Sequence, residues 1–295
     1  MKVIFAKNIG FCSGVKRAMA IAKKSLEEDP RPIYFLGHLI HNEEVMKELE
    51  RKGGKIISTL KQVKSGTLII KAHGVSPTLF EKIPKSVLVR DATCPLVKSA
   101  QLKAQNLFKD GYQVIIFGTR SHPEVIGIKG HTKNQAIVVE NKNQVKNLPK
   151  FNKIGFLAQT TQDVGKFKEI FKILKNKARA KKVNFLLPPS PLLGRGIKWF
   201  NTICPEVITR QKELNEILKR CDGVLIIGSR ASANTKRLVE KVRKSEKKVF
   251  WINSLDELKK KRIKGIPALG VVSGTSTPNW EIEKIKKWLK DAKQK

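Results

Sequence analysis

Residues 94–122, CPLVKSAQLKAQNLFKDGYQVIIFGTRSH, hold the pattern that decides the architecture. A cysteine and a proline open the stretch, a helical stripe follows, and an apolar run ends at Gly118. Val97, Ala100, Ala104, Leu107 and Phe108 recur at spacings of three and four, which puts them on one helix face. QVIIFG (113–118) is short, continuous and closed by glycine, as suits a strand buried on both faces of a parallel sheet. Residues 204–232, CPEVITRQKELNEILKRCDGVLIIGSRAS, repeat the plan. Both stretches begin Cys-Pro, reach Gly-(Thr/Ser)-Arg 24 residues on at Gly118 and Gly228, and place His122 or Ser232 four residues later. Residues 12–41, CSGVKRAMAIAKKSLEEDPRPIYFLGHLIH, run from Cys12 through a helix and a strand to Gly37 after 25 residues, then to His41. Such self-similarity marks one supersecondary unit used three times.

The rest of the chain keeps the alternation. Further strand-like runs are VIFA (3–6), IYFLG (33–37), TLIIKAHG (67–74), VLVRDAT (87–93), AIVVE (136–140), IGFLAQTT (154–161), GVLIIGS (223–229), VFWIN (249–253) and ALGVVSGTS (268–276). The last helical run is 279–292. Each unit carries a second polar turn: AHGVSP around His73, AQTTQD around Thr160, GTSTPN around Ser276. Alternation of this kind predicts an α/β fold. We expect three similar α/β domains with parallel sheets, arranged with pseudo-threefold symmetry around a central cluster site. Their expected bounds are 13–94, 95–203 and 204–276, with 1–12 and 277–295 as terminal segments. The stretch LLPPSPLLGRGIKWF (186–200) has three prolines in four residues and neither period, and reads as a loop or insertion.

Composition narrows the classes. The chain has 295 residues and no apolar run of the ~18 needed to span a bilayer. Its first residues are too quickly charged for a secretion signal, so the expected location is the cytoplasm. The net charge of +35 is mostly lysine spread over helix faces, with dense clusters only at 177–182 and 259–264. That charge suits phosphorylated small molecules or acidic proteins. Finger spacing, helix-turn-helix signatures and aromatic-rich strands are missing, which argues against specific nucleic-acid binding.

The cysteines carry the chemistry. Cys12, Cys94, Cys204 and Cys221 lie far apart without a C-x-x-C pair, and a reducing compartment disfavours disulfides. Cys221 closes a helix stripe with Val207, Leu214, Ile217 and Leu218, and reads as a core thiol. The other three occupy equivalent strand-to-helix junctions, where helix N-termini favour thiolate. Ligands of parallel α/β units gather at the carboxyl ends of strands, so three related units bring three cysteines to one centre. Two metal chemistries fit: a four-iron cluster with one iron left open, or zinc closed by His122 or His41. His41, His73 and His122 sit in matching turns and suit an anion, whereas His38 and His131 read as structural. Pro123 suits a first helical position, and Glu124 beside it reads either as a helix-dipole partner or as a proton donor.

GFCSGVKRA, GHLIHNEEV, KAHGVSP, DATCPLV, SHPEVIG, AQTTQ, NTICPEVITRQ, SANTKRL and SGTSTP together resemble the LytB family of 4-hydroxy-3-methylbut-2-enyl diphosphate reductases over nearly the whole chain. The resemblance implies a [4Fe-4S] cluster held by Cys12, Cys94 and Cys204, with the substrate hydroxyl on the open iron. It implies a diphosphate held by His41, His73, His122, Ser232, Asn234 and Ser276. Glu124, oriented by Thr160 and neighboured by His122, would deliver protons, and isopentenyl and dimethylallyl diphosphate would leave with water. A small acidic ferredoxin or flavodoxin is the expected electron donor, with no membrane partner. The chain departs from the family pattern at Ala233, where a second serine is usual, at Glu206 and Val207, where Ala-Thr is usual, and in 186–200.

Overall fold

The computed structural model describes residues 1–178, 196–261, 263 and 265–291. The chain opens with β1 (Lys2–Phe5), α1 (Ser13–Glu28), β2 (Ile33–Leu36), α2 (Glu43–Arg51), β3 (Gly54–Ile57), β4 (Thr67–Ile70), α3 (Pro77–Phe80) and β5 (Leu88–Asp91). It continues with α4 (Pro95–Lys109), β6 (Gln113–Phe117), α5 (Pro123–Gly130), β7 (Ile137–Val139), α6 (Lys142–Lys146), β8 (Ile154–Ala158), α7 (Val164–Lys175) and β9 (Ile197–Phe200). It closes with α8 (Pro205–Leu218), β10 (Gly223–Ile227), α9 (Ala233–Arg243), β11 (Lys248–Ile252), α10 (Leu255–Lys259), β12 (Ala268–Ser273) and α11 (Asn279–Asp291).

These strands form three four-stranded sheets with orders β3-β2-β4-β5, β7-β6-β8-β9 and β11-β10-β12-β1. Every pairing is parallel. The topology is the same in all three domains: the unit's first strand lies beside its second and third, and a fourth closes one edge. The fourth strand of the last sheet is β1, which pairs Lys2 with Ala268 through Phe5 with Val271. Each junction cysteine therefore follows a fourth strand: Cys12 after β1, Cys94 after β5, Cys204 after β9.

Two compact units contain these sheets. The first (Met1–Ala72, Pro84–Ala92, Pro205–Lys295) holds the first and third sheets. In it Ala18, Ala22, Met46 and Leu49 of α1 and α2 pack on Ile33, Phe35 and Ile69. The third sheet is covered on both faces, by Leu258, Ile282, Ile285 and Leu289 on one side and by Leu214, Ile217, Leu238 and Val242 on the other. The second unit (His73–Ile83, Thr93–Cys204) holds the second sheet. Ala100, Ala104, Leu107, Val125 and Ile128 cover one face, and Phe156 stacks on Phe167 at 4.6 Å on the other. The central strands TLII, IGFLA and GVLII are buried at every position, as two-sided coverage requires.

Two elements differ from the sequence reading. Ile197–Phe200, read within the 186–200 loop, is the edge strand β9, in register with Ile154–Leu157. Only three of its four residues are even partly buried and Trp199 is 47% exposed, so its hydrophobic pattern is that of an edge. The remainder of that stretch up to 195 lies outside the described residues, as do parts of the two basic clusters. GKII (54–57) forms β3, a second edge strand, hidden in the sequence by its charge and its leading glycine.

Candidate active site

The first unit supplies Cys12, His41, Ser232, Asn234 and Ser276. Cys12 is half-buried and is the N-cap of α1; its sulfur accepts from Val15 N at 3.4 Å. Its own N–H donates to Thr275 O at 3.0 Å. Gly10 enters this loop at φ +91, where a Cβ would meet Asn279 Oδ1 at 2.1 Å, so only glycine fits. Arg210 of α8 fixes the loop from below: Nη2 donates to Gly10 O at 2.7 Å, and Nη1 reaches Ser273 O at 3.2 Å and Gly274 O at 3.3 Å. One buried guanidinium thus ties the turn before Cys12 to the turn before Ser276.

Ser276 Oγ donates to His41 O at 3.1 Å, and Asn42 Nδ2 donates to Ser276 O at 3.0 Å while Asn42 Oδ1 caps α2 at Val45 N. Burial, then the charges of Lys71, His38 and Lys236, push His41 down to about 4, so its imidazole is neutral near pH 7. Ser232 caps α9 by accepting from Thr235 N at 3.3 Å. Asn234 is 1% exposed, yet neither atom of its side-chain amide has a hydrogen-bond partner among the described residues. Buried polar atoms are normally satisfied, so an orphaned amide points to a ligand.

Glu206 is accounted for by its neighbour. Its Oε1 accepts from Ser13 N at 3.0 Å and from the Ser13 hydroxyl, at the first turn of α1. Burial alone would raise its pKa, but the two Ser13 bonds and the charges of Arg210 and Lys16 outweigh it and hold the carboxyl low. Val207 is buried in the helix stripe.

The second unit supplies Cys94, Cys204, His73, His122, Glu124 and Thr160. Cys94 is half-buried at the N-cap of α4, with Pro95 as first helical residue. Its side chain makes no cap bond there. Cys204 is also half-buried, directly before α8, and its N–H donates to Thr160 O at 2.9 Å. His122 is the N-cap of α5 and its Nδ1 accepts from Glu124 N at 3.2 Å, which assigns the proton to Nε2. The rings of His73 and His122 meet edge to face, 5.4 Å apart.

Glu124 is 2% exposed. Its carboxylate accepts from Thr160 N at 2.6 Å and from Thr160 Oγ1 at 2.8 Å. Burial pushes its pKa up to about 7, against the pull of those two bonds. Thr160 is accordingly a hub, holding Glu124 with its amide and hydroxyl and Cys204 with its carbonyl. The turn that carries it is fixed by Gln159, whose Oε1 accepts from Thr119 N at 3.0 Å and whose Nε2 donates to Thr161 Oγ1 at 2.9 Å.

The residues read as structural differ in their settings. Cys221 is buried against the third sheet and desolvation raises its pKa, making it a poor thiolate. His131 caps α5 and its Nδ1 lies 2.9 Å from Gly127 O. His38 is exposed. The sequence reading missed Arg210, Asn42 and Gln101. Arg210 occupies the core stripe of α8 with Val207, Leu214 and Ile217, and Gln101 that of α4 with Val97, Ala100 and Ala104. A polar residue on an apolar stripe was the signal available.

Thiols at helix starts, a satisfied yet protonatable buried acid and three parallel sheets are the equipment of an α/β oxidoreductase, and comparison with known proteins agrees. The model of the LytB protein family matches residues 3–290, and the chain belongs to that family. The 4-hydroxy-3-methylbut-2-enyl diphosphate reductase of Geobacter metallireducens is 37% identical over 97% of this chain and 95% of its own. That of Dictyoglomus thermophilum is 38% identical over 98% of this chain and 96% of its own. The solved structure of the E-1-hydroxy-2-methyl-but-2-enyl-4-diphosphate reductase from Plasmodium falciparum superposes with a TM-score of 0.87 at 31% identity, covering 98% of this chain and 87% of that one. A solved (E)-4-hydroxy-3-methyl-but-2-enyl diphosphate reductase superposes with a TM-score of 0.69 at 33% identity, covering 99% of this chain and all of the other. No helix among the described residues is long and apolar enough to cross a membrane.

Proposed function

We propose that this enzyme reductively removes the hydroxyl of 4-hydroxy-3-methylbut-2-enyl diphosphate, giving isopentenyl and dimethylallyl diphosphate in the cytoplasm, at the end of the methylerythritol phosphate route. The C–O bond breaks, two electrons and two protons enter, and water leaves. The observation that carries this reading is Glu124, a fully enclosed carboxyl with a pKa near 7, able to keep its proton and give it up at neutral pH.

Cys12, Cys94 and Cys204 are half-buried thiols at helix starts, a soft donor set that fits a [4Fe-4S] cluster. When bound, that cluster supplies the electrons and, for want of a fourth cysteine ligand, one iron open to act as Lewis acid. The chain's own groups do the rest. Ser232, Asn234, Ser276 and the neutral His41 bind the diphosphate, joined by His73 and by the Nε2–H of His122. Thr160 holds Glu124 in one orientation, and Glu124 donates the proton to the departing oxygen. Glu206 is engaged by Ser13, which supports a working diphosphate site beside it rather than an impaired one. We further propose domains at 13–94, 95–203 and 204–276, completed by 1–12 and 277–295, and an acidic ferredoxin or flavodoxin as donor to so basic a chain.

Anaerobic purification with iron and sulfide analysis tests the reading. We expect a brown protein with about four irons per chain that consumes the diphosphate when given reductant. A colourless protein with stoichiometric zinc, active in air as a hydrolase, overturns it.

A further inference from the structure

We propose that Lys71 binds the diphosphate of the substrate, forming with His41 and Lys236 a cationic subsite at the carboxyl edge of the first sheet. The inference rests on the function proposed above and adds residues to it.

β2 and β4 are neighbours in register, Phe35 opposite Ile69. Gly37 and Lys71 therefore stand just past the ends of adjacent parallel strands, where ligands of such sheets collect. Gly37 turns at φ +71, and the Lys71 ammonium lies 3.6 Å from the point a Cβ on Gly37 would occupy. The lysine is half-buried, and desolvation lowers its pKa. Among the described residues it has no hydrogen bond and no ion pair.

Isolation combined with partial burial sets it apart from the exposed lysines. Lys47, Lys52, Lys219 and Lys286 each pair with a glutamate three or four residues away. Lys71 has given up part of its hydration without such a partner, which is unfavourable unless an anion arrives. Its surroundings repeat the message. Two lysines, Lys71 and Lys236, are among the groups whose charge acts on half-buried His41. Within the same unit, Ser276 and Asn42 bind the His41 turn to the third sheet's loops, and Asn234, two residues before Lys236, has its unpartnered amide buried there. Unpartnered donors beside unpaired cations fit a compact polyanion of several charges, as a diphosphate is.

The test uses the anaerobically prepared, cofactor-loaded full chain and inorganic pyrophosphate, titrated calorimetrically. Lys71→Met should weaken pyrophosphate binding by about tenfold or more, Lys71→Gln likewise, and Lys71→Arg should stay within about threefold of the parent. Lys85→Met, at an exposed site, should bind as the parent does. Equal thermal midpoints for parent and variants confirm that folding is not the cause. Affinity within about twofold of the parent in both Lys71→Met and Lys71→Gln refutes the subsite, and so does an equal loss in Lys85→Met, which would mean diffuse charge alone. Steady-state kinetics separates the two proposals. A raised KM with kcat retained supports both. Normal turnover with unchanged pyrophosphate affinity removes only Lys71, and Lys71-dependent pyrophosphate binding without turnover removes only the reductase reading.

Discussion

Replacing Glu124 with glutamine separates the proton of this carboxyl from its shape. The pKa rises from an ordinary 4.5 to about 7 in the folded protein, chiefly through burial. Below pH 4.5 the group is protonated in folded and unfolded chains alike, and pH has no leverage on it. Between 4.5 and 7 the unfolded chain releases its proton first, so the folded state loses stability as pH rises. Above about 7 both forms are ionised and the whole penalty stands. At about 1.4 kcal/mol per unit, the gap amounts to about 3 kcal/mol. Glutamine has no proton to lose and fits the same place: its carbonyl accepts from Thr160 N, and its amide donates to the Thr160 hydroxyl, which turns to accept. Urea unfolding of parent and variant, repeated from pH 4.5 to 8, reads the difference with all other groups cancelling. The variant should gain about 3 kcal/mol on the parent across that range. Parallel profiles would refute the argument that Glu124 is a desolvated acid. In turnover, the same variant should lose about a hundredfold or more with iron content unchanged.

Three further outcomes are expected. Arg210→Met should cost about 2–4 kcal/mol in thermal unfolding and lower iron content as the Cys12 loop loosens, and Arg210→Lys should not rescue it, because an ammonium cannot span Gly10, Ser273 and Gly274 together. Glu206→Ala should cost about 1 kcal/mol and speed amide exchange at Ser13, with Glu206→Gln intermediate. Gly74→Ala meets both a φ of +69 and the Gln101 amide 2.5 Å from the new methyl; a loss of about 2 kcal/mol should shrink, without vanishing, in a Gln101→Ala background.

The architecture was legible because the repeat is internal. Cys94 and Cys204 begin matching stretches, and the helices and inner strands that follow are where the spacing puts them. Edge strands were harder. β3 buries only Gly54 and Ile57 and β9 buries no residue fully, so neither shows a continuous buried run, and β9 adjoins a proline-rich stretch that masks it. The repeat logic nevertheless demanded β9: an apolar run precedes Cys12 and another precedes Cys94, so one had to precede Cys204. Local chemistry at Cys94, Cys204, His122 and Glu124 was visible as strand-end turns with Pro at the following helix start, and at Cys12 through its place in the repeat. The bond from Cys204 N to Thr160 O and the Arg210 brace were not, because they join residues far apart in sequence through backbone groups that every residue shares.

The pairing of β1 with β12 also sets a timetable. Lys2 leaves the ribosome early and waits for Ala268, its partner in the sheet. Cys12 waits with it, since its N–H is held by Thr275 and its loop by Arg210. The first and second sheets draw on contiguous sequence and can assemble during synthesis, whereas the third must close the chain on itself. The first of the three junction cysteines to be made is thus the last to reach its final setting, and a chain stalled before residue 268 carries Cys12 in a loop behind an unpaired strand.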